Sequence, residues 1–179
     1  MQSLKATPAP VDEPWSGPTS GPRAAAGKVV AVLAEDLRNG GVLGVAMGMR
    51  EAAGEIGWRL KIFNAGGTRS GRVSAWRDGM ASGADALAVC GSDAEEFEAF
   101  YRREAQPRTM IIGWHVAAAP GPLPGMAIRL NVTTDPQAVA RVAAAAVLPA
   151  PGRRTGVVIF NDSRFSIANT KVAAMREVV

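Results

Sequence analysis

Short apolar runs alternate along the chain with segments whose apolar residues recur at helical spacing, and this alternation constrains the fold most. Six apolar runs have the length and composition of strands buried on both faces. They cover residues 29–33, 60–63, 86–90, 109–113, 127–131 and 155–160. Strands that alternate with helices of ordinary length predict a parallel sheet with helices on both faces.

The segments between these runs are predicted to be helices, because their apolar residues recur every three or four positions. The apolar faces comprise Val42, Val45, Ala46, Met49 and Ile56 in the first helix, Val73, Trp76 and Met80 in the second, and Phe97, Phe100 and Tyr101 in the third. Asp135-Pro136 is expected to cap a long Ala/Val helix that runs to Leu148, and a last helix reaches the C-terminus.

We therefore predict an α/β fold, a doubly wound parallel sheet with Rossmann-like or flavodoxin-like topology. In such sheets, ligands bind outside the carboxyl ends of the strands, near the point where the strand order reverses. The polar loops that follow the first four strands are the places where this rule predicts a site.

Charge and composition narrow the classes of function. The 179 residues include 20 Lys and Arg against 16 Asp and Glu, and the basic residues are scattered among acidic neighbours. The sequence contains no run of like charges and no basic stripe with aromatic residues, so we predict no nucleic-acid binding. No apolar run approaches the roughly 18 residues of a membrane span. The single cysteine, Cys90, cannot form an internal disulfide.

Residues 1–27 are predicted to form a linker or arm, because they contain five prolines and almost no apolar periodicity. Trp15 in this arm is expected to pack on the surface of the domain. The arm lacks the charged region and apolar region of an intact signal peptide. We therefore expect either a cytoplasmic protein or a mature form from which a targeting segment was removed.

Motifs for cofactor-dependent catalysis are incomplete. Gly66 and Gly71 have the spacing of a phosphate-binding P-loop, but Arg72 and Val73 stand where Lys and Ser or Thr are required. No dinucleotide-binding G-x-G-x-x-G follows the first strand. His115 is the single histidine, and no G-x-S-x-G nucleophile elbow is present. We predict that the protein is not an enzyme and uses no cofactor or metal.

Polar and aromatic side chains on the crevice loops are the candidate ligand contacts. They are Asp36, Arg38 and Asn39 after the first strand, Ser92 and Asp93 after the third, and Trp114 and His115 after the fourth. Each has a structural alternative. The polar residues after the first and third strands would cap the following helix, Trp114 would lie in the core, and His115 would have a purely structural role. An aromatic ring at the end of a strand is also a flat apolar platform for a sugar ring.

Six segments together give the chain a resemblance to a known family. They are Gly17-Pro-Thr-Ser-Gly-Pro22, Ala34-Glu-Asp-Leu-Arg-Asn-Gly-Gly41, Gly48 to Trp58, Ile112-Gly-Trp-His115, Asn131-Val-Thr-Thr-Asp-Pro136 and Val158-Ile-Phe-Asn-Asp-Ser-Arg-Phe165. From about residue 15 to the last residue, the chain resembles the type I periplasmic binding proteins, the sugar-binding components of ABC importers.

The resemblance implies a function. Two α/β lobes would close on a small polar ligand, a sugar, and deliver it to the membrane permease of an ABC transporter. It also implies a periplasmic location, with the signal peptide removed from this chain. Asn131 would lie where the chain first crosses to the second lobe.

The resemblance also implies roles for further residues. The family's sugar-binding Asp after the third strand is matched by Asp93 or by Ser92, and a carboxylate there accepts charge-assisted hydrogen bonds from two hydroxyls. Arg164 and Phe165 would lie on the first crevice loop of the second lobe. The aromatic residues that the family carries after Asn39 are missing, so Trp114 or Phe165 is expected to supply the platform.

The resemblance divides the chain into an arm (1–27), a complete N-terminal lobe (28–131) and the start of a second lobe (132–179). Because the second lobe should be as large as the first, a truncated chain is expected. Such a partial lobe should expose apolar surface and favour self-association.

Two other classes of function stay open. A sugar-responsive transcriptional regulator has an effector domain of the same fold, but it needs a helix-turn-helix ahead of the first strand, which the proline-rich residues 1–27 do not supply. A Rossmann-like enzyme would need a phosphate motif and an acid/base pair.

Overall fold

The computed structural model describes residues 14, 16–97, 100, 109–148, 156–163 and 165–179. Among these residues, five strands form one sheet: β1 (Val29–Ala34), β2 (Arg59–Asn64), β3 (Ala86–Cys90), β4 (Met110–Trp114) and β5 (Ile128–Val132). Neighbouring strands are parallel throughout, in the order β2-β1-β3-β4-β5. The predicted doubly wound sheet of flavodoxin-like topology is confirmed.

The strand order reverses at β1. This strand pairs with β2 on one side, where Val30 lies opposite Leu60, and with β3 on the other side, where Val30 lies opposite Ala86. The chain therefore leaves β1 in one direction and returns across it to reach β3. The loops that follow β1 and β3 consequently diverge and leave a crevice at the carboxyl edge of the sheet.

Four helices with complete bounds accompany the sheet in the described residues: α1 (Gly40–Glu55), α2 (Arg69–Ala81), α3 (Pro136–Ala146) and α4 (Ser166–Arg176). Residues 94–97 and 100 are also helical. Side chains of Asn39, Thr68 and Asp135 accept hydrogen bonds from backbone amides at the starts of α1, α2 and α3. No helix in these ranges is long and apolar enough to cross a membrane.

Apolar clusters lie on both faces of the sheet. One face buries Trp76 of α2 with Phe97 and the β3 side chains Leu87 and Val89. The opposite face buries apolar side chains of α1, of which Val42 is one, against alternate residues of β1 and β3. Helices on both faces explain why β1 and β3 are apolar at every position, since neither face of the central strands meets solvent.

Two glycines allow α2 to lie close to its neighbours, Gly79 to the sheet and Gly71 to the loop after β2. A Cβ atom on Gly79 would lie 2.6 Å from the Cδ2 atom of Leu33, and one on Gly71 would overlap the carbonyl oxygen of Ala65. Close packing therefore explains the glycine at position 71, the second glycine of the P-loop-like spacing.

The sixth predicted strand is wrong over the residues that the structure describes. Residues 156–160 join no sheet, and Val158 and Phe160 are 79% and 93% exposed. A strand is stabilised by hydrogen bonds to a neighbouring strand, and the outer edge of β5 forms an antiparallel bridge with Gly121 instead of pairing with this segment. The helices predicted before and after this segment are both present, since α3 and α4 form and pack against each other.

Candidate ligand-binding cleft

A cavity of about 340 Å³ opens at the carboxyl edge of the sheet, between the loop after β1, the end of β4 and the start of α4. Five residues predicted from the sequence line it: Asp36, Asn39, Trp114, His115 and Phe165. The wall also includes Glu35, Asp162 and Lys171, which the sequence analysis did not select. Its place at the reversal of strand order is where the fold provides room for a ligand.

Asp36 is held in place by Arg38. The Asp36 carboxylate accepts hydrogen bonds from the Arg38 backbone amide at 2.9 Å and from the Arg38 guanidinium at 2.7 Å. The same guanidinium donates to the carbonyl oxygen of Gly66 at 3.1 Å and so connects the loops after β1 and β2. Arg38 is itself outside the cavity wall, and its side chain is 80% exposed. Its hydrogen bond to Asp36 raises the pKa of Arg38.

Asn39 combines the two roles considered for it. Its Oδ1 atom accepts hydrogen bonds from the amides of Gly41 and Val42 and caps α1. The cap uses the side-chain oxygen, so the amide NH2 group of Asn39 is the part that a ligand in the cavity can use as a donor.

Trp114 is both a core residue and a cavity residue. It is half-buried and packs against the cluster on the α1 face of the sheet. Its ring meets the His115 ring edge-on, with 4.4 Å between centroids and 84° between planes. The remaining ring surface borders the cavity, where an aromatic face suits the apolar face of a sugar ring.

His115 has an unusual backbone for a residue with a side chain. Its φ of 53° lies in the left-handed region, and its amide donates to the carbonyl oxygen of Val132 at 3.1 Å. Its Nδ1 atom lies 2.9 Å from the Oγ1 atom of Thr133. Burial, and then the positive charge of Lys171, lower the pKa of His115, so the imidazole is neutral at neutral pH.

A buried charge network that sequence reasoning missed begins at Glu35 in the cavity wall. Glu35 is 3% exposed, and its two carboxylate oxygens accept hydrogen bonds from Arg72 at 2.7 Å and from Ser92 at 2.6 Å. Arg72 also forms an ion pair with Glu96 at 2.7 Å. Two features of the sequence could have indicated this network: Glu35 directly follows a buried strand, and Arg72 lies in the P-loop-like segment.

The predicted residue Ser92 is 3% exposed, and its hydroxyl is occupied by Glu35. Asp93 supports two helical segments, because its carboxylate accepts hydrogen bonds from the amides of Glu95 and Ser166, each at 3.2 Å. Asp93 and Phe165 also line a neighbouring hollow of about 280 Å³.

Asn131 is 1% exposed and lies away from the cavity wall. Its Nδ2 atom donates to the carbonyl oxygens of Ala117 and Ala119, both at 2.8 Å, and its Oδ1 atom accepts from the amide of Val116 at 3.3 Å. These bonds hold the loop after β4. Arg164, Tyr101 and Trp15 lie outside the described residues.

The described residues contain no group of three His, Cys, Asp or Glu side chains placed to hold a metal ion. Burial raises the pKa of the Cys90 thiol to about 12, so this cysteine is protonated at neutral pH. The arrangement can hold a neutral polar molecule through carboxylate, amide, imidazole and ammonium groups around an indole ring.

No protein-family model matches the chain, and no curated protein matches it significantly. Solved structures do match it. An ABC sugar transporter subunit from Rhodobacter sphaeroides superimposes with a TM-score of 0.67 at 14% identity, over 86% of this chain and 52% of the other. An ABC transporter solute-binding protein from Agrobacterium vitis with bound allitol gives 0.68 at 15% identity, over 87% and 50%.

A carbohydrate transporter solute-binding protein from Agrobacterium radiobacter, in complex with D-arabinose, gives a TM-score of 0.65 at 18% identity, over 87% of this chain and 54% of the other. The chain thus spans about half the length of the structures it matches. The chain therefore has the type I periplasmic-binding-protein fold of the sugar ABC transporter solute-binding proteins.

Proposed function

We propose that this chain forms part of a solute-binding protein that holds a sugar in the cleft between two lobes and has no catalytic activity. One observation carries the proposal: polar side chains and an indole ring from separate strand ends converge on one cavity of about 340 Å³. That volume is in the range of small-molecule sites, about 300–1,000 Å³. Sugars need this combination of hydroxyl-directed polar groups and an apolar surface.

In this proposal, each cavity residue has a role that follows from its chemistry. Asp36, fixed by Arg38, accepts hydrogen bonds from ligand hydroxyls, and the NH2 group of Asn39 donates to a ligand oxygen. Trp114 supplies the stacking surface, and Phe165 covers the ligand from the start of α4. Ser92 acts through Glu35 rather than by direct contact.

The proposal includes the wider setting of such a protein. Residues 28–131 form the first lobe and residues 132–179 belong to the second, with residues 1–27 as an arm. The partner is the membrane permease of an ABC importer, and the location is the periplasm. The regulator is not favoured, since the matched structures reported above are transporter components.

Calorimetric titration of the full chain with D-arabinose and with allitol tests the function directly. Replacing Trp114 with Ala should weaken binding roughly tenfold, because the stacking surface is lost. Trp58→Phe is the matched control, since the Trp58 indole donates to the carbonyl oxygen of Ala25 at 2.6 Å, outside the cavity wall. Equal affinity of the Trp114→Ala and Trp58→Phe chains, both folded by circular dichroism, would contradict the proposed cleft.

A further inference from the structure

A short series of hydrogen bonds leads from the backbone after β5 to the cavity wall. The Oγ1 atom of Thr133 donates to the carbonyl oxygen of Thr134 at 3.0 Å. The Nδ1 atom of His115 lies 2.9 Å from the same Oγ1 atom, and the His115 side chain lines the cavity. The series therefore connects a fixed backbone group with the cavity.

The direction of these bonds follows from the chemistry of their ends. A carbonyl oxygen can only accept, so the single hydroxyl hydrogen of Thr133 is used on Thr134. Both contacts are hydrogen bonds only when the Thr133 oxygen accepts from His115, and this assigns the hydrogen of the imidazole to Nδ1. In a neutral imidazole the other nitrogen, Nε2, has no hydrogen and acts as an acceptor.

We propose that Thr133 is a positioning residue that fixes His115 as a hydrogen-bond acceptor in the cavity, so that the ligand must present a hydroxyl group to it. This inference rests on the proposed sugar-binding function and narrows its specificity. An ether, carbonyl or carboxylate oxygen has no hydrogen to donate and would face the lone pair of Nε2. Such a ligand is rejected at this point of the cleft.

The surroundings of His115 support this role. Its left-handed backbone is retained by the bond from its amide to Val132, and the loop beyond it is held by Asn131. A strained conformation persists only where the neighbouring structure determines it. Partial burial and the charge of Lys171 keep the ring neutral, which is the state that an acceptor requires.

The tautomer of His115 can be measured without any ligand, because this is the single histidine of the chain. A long-range proton–nitrogen NMR spectrum of the full chain, recorded above the pKa of His115, should show a protonated Nδ1 and an unprotonated Nε2. A spectrum in which Nε2 carries the hydrogen would overturn the proposal.

Two variants separate positioning from mere packing. Thr133→Val keeps the shape of the side chain but removes the hydroxyl, and the ratio of the Nδ1–H to the Nε2–H form should fall roughly fivefold, the effect of one hydrogen bond. Thr133→Ser keeps the hydroxyl and should retain the wild-type ratio. An unchanged ratio in a folded Thr133→Val chain would show that Thr133 does not position the ring.

Binding of D-arabinose and its mono-O-methyl ethers tests the ligand side. Methylation of a hydroxyl removes its hydrogen-bond donor but keeps an acceptor. The ether whose methyl group replaces the hydroxyl hydrogen facing His115 should therefore bind at least tenfold more weakly than the sugar. In the Thr133→Val chain this loss should be smaller for that ether and unchanged for the other ethers. The same pattern of losses in both chains would contradict the proposal. If the sugar itself fails to bind, the sugar-binding function is contradicted, while the NMR spectrum alone still decides the role of Thr133.

Discussion

Individual side chains near the cleft carry charge that the protein has to stabilise internally. Glu35 is the clearest case, because a carboxylate with 3% exposure has exchanged water for Arg72 and Ser92. Removal of one member of a buried ion pair leaves the other without compensation, and this is more costly than the pair was worth.

Replacing Glu35 with Gln should lower the free energy of unfolding by about 3 kcal/mol, since Arg72 then loses its buried counter-charge. Urea denaturation monitored by circular dichroism measures the change. Glu51→Gln on the exposed side of α1 is the control and should change stability by less than about 0.5 kcal/mol. Equal effects of the two substitutions would show that the buried pair does not stabilise the fold.

Acidification should destabilise the chain through His115. Its pKa is lowered in the folded state from the ordinary 6.5, so the unfolded chain takes up the proton first as the pH falls. The histidine contribution to stability is therefore complete above about pH 6.5 and declines below it, down to the folded pKa. Lys171 opposes protonation of His115, and the carboxylates of Glu35, Asp36 and Asp162 lie on the same cavity wall.

The measurement is urea denaturation at several values between about pH 5 and 8, on the wild type and on His115→Asn. Asn tolerates the left-handed backbone and has no titratable group in this range. The wild type should lose more stability than the variant as the pH falls. Parallel stability curves for the two chains would exclude His115 as the source.

At the scale of elements, the fit between α2 and the sheet depends on one missing side chain. Gly79 is buried, and its Cα faces Leu33 of β1 at a distance that leaves no room for a methyl group. Gly48 in α1 is exposed and has no atom within 4 Å of an added Cβ. The two glycines therefore offer the same substitution in opposite surroundings.

Gly79→Ala should destabilise the chain by about 1–3 kcal/mol, because overpacking outweighs the better helix propensity of alanine. Gly48→Ala should stabilise it by about 0.4–1 kcal/mol, since only the propensity and the entropy of the unfolded chain change. Thermal unfolding of both variants gives the comparison. Stabilisation by both substitutions would mean that α2 can move away from the sheet at little cost.

Elements were predictable from the sequence where their formation depends on local pattern. The five strands of the sheet, the caps Asn39 and Asp135 and the glycines that follow α1 and α2 all have local signals. Residues 155–160 have the apolar pattern of a strand, but a strand also requires a neighbour, and the pattern of one segment carries no information about its partner.

At the scale of the whole molecule, the position of the cleft was predictable, whereas the use of each polar group was not. The rule for parallel sheets placed Asp36, Asn39 and Trp114 around one cavity. The burial of Glu35 depends on Arg72 and Ser92, which are 37 and 57 residues away in the chain. Such pairings arise from tertiary packing, so no local pattern of residues indicates them.

The shared carboxylate of Asp93 has a mechanical consequence for the whole molecule. It accepts the amide of Glu95 at the start of the helical segment after β3 and the amide of Ser166 at the start of α4. Any outward swing of α4 must release this amide to water, and any return must recapture it. One acidic side chain thus links the segment after β3 to the start of α4, and moving these two parts of the chain apart would cost that hydrogen bond.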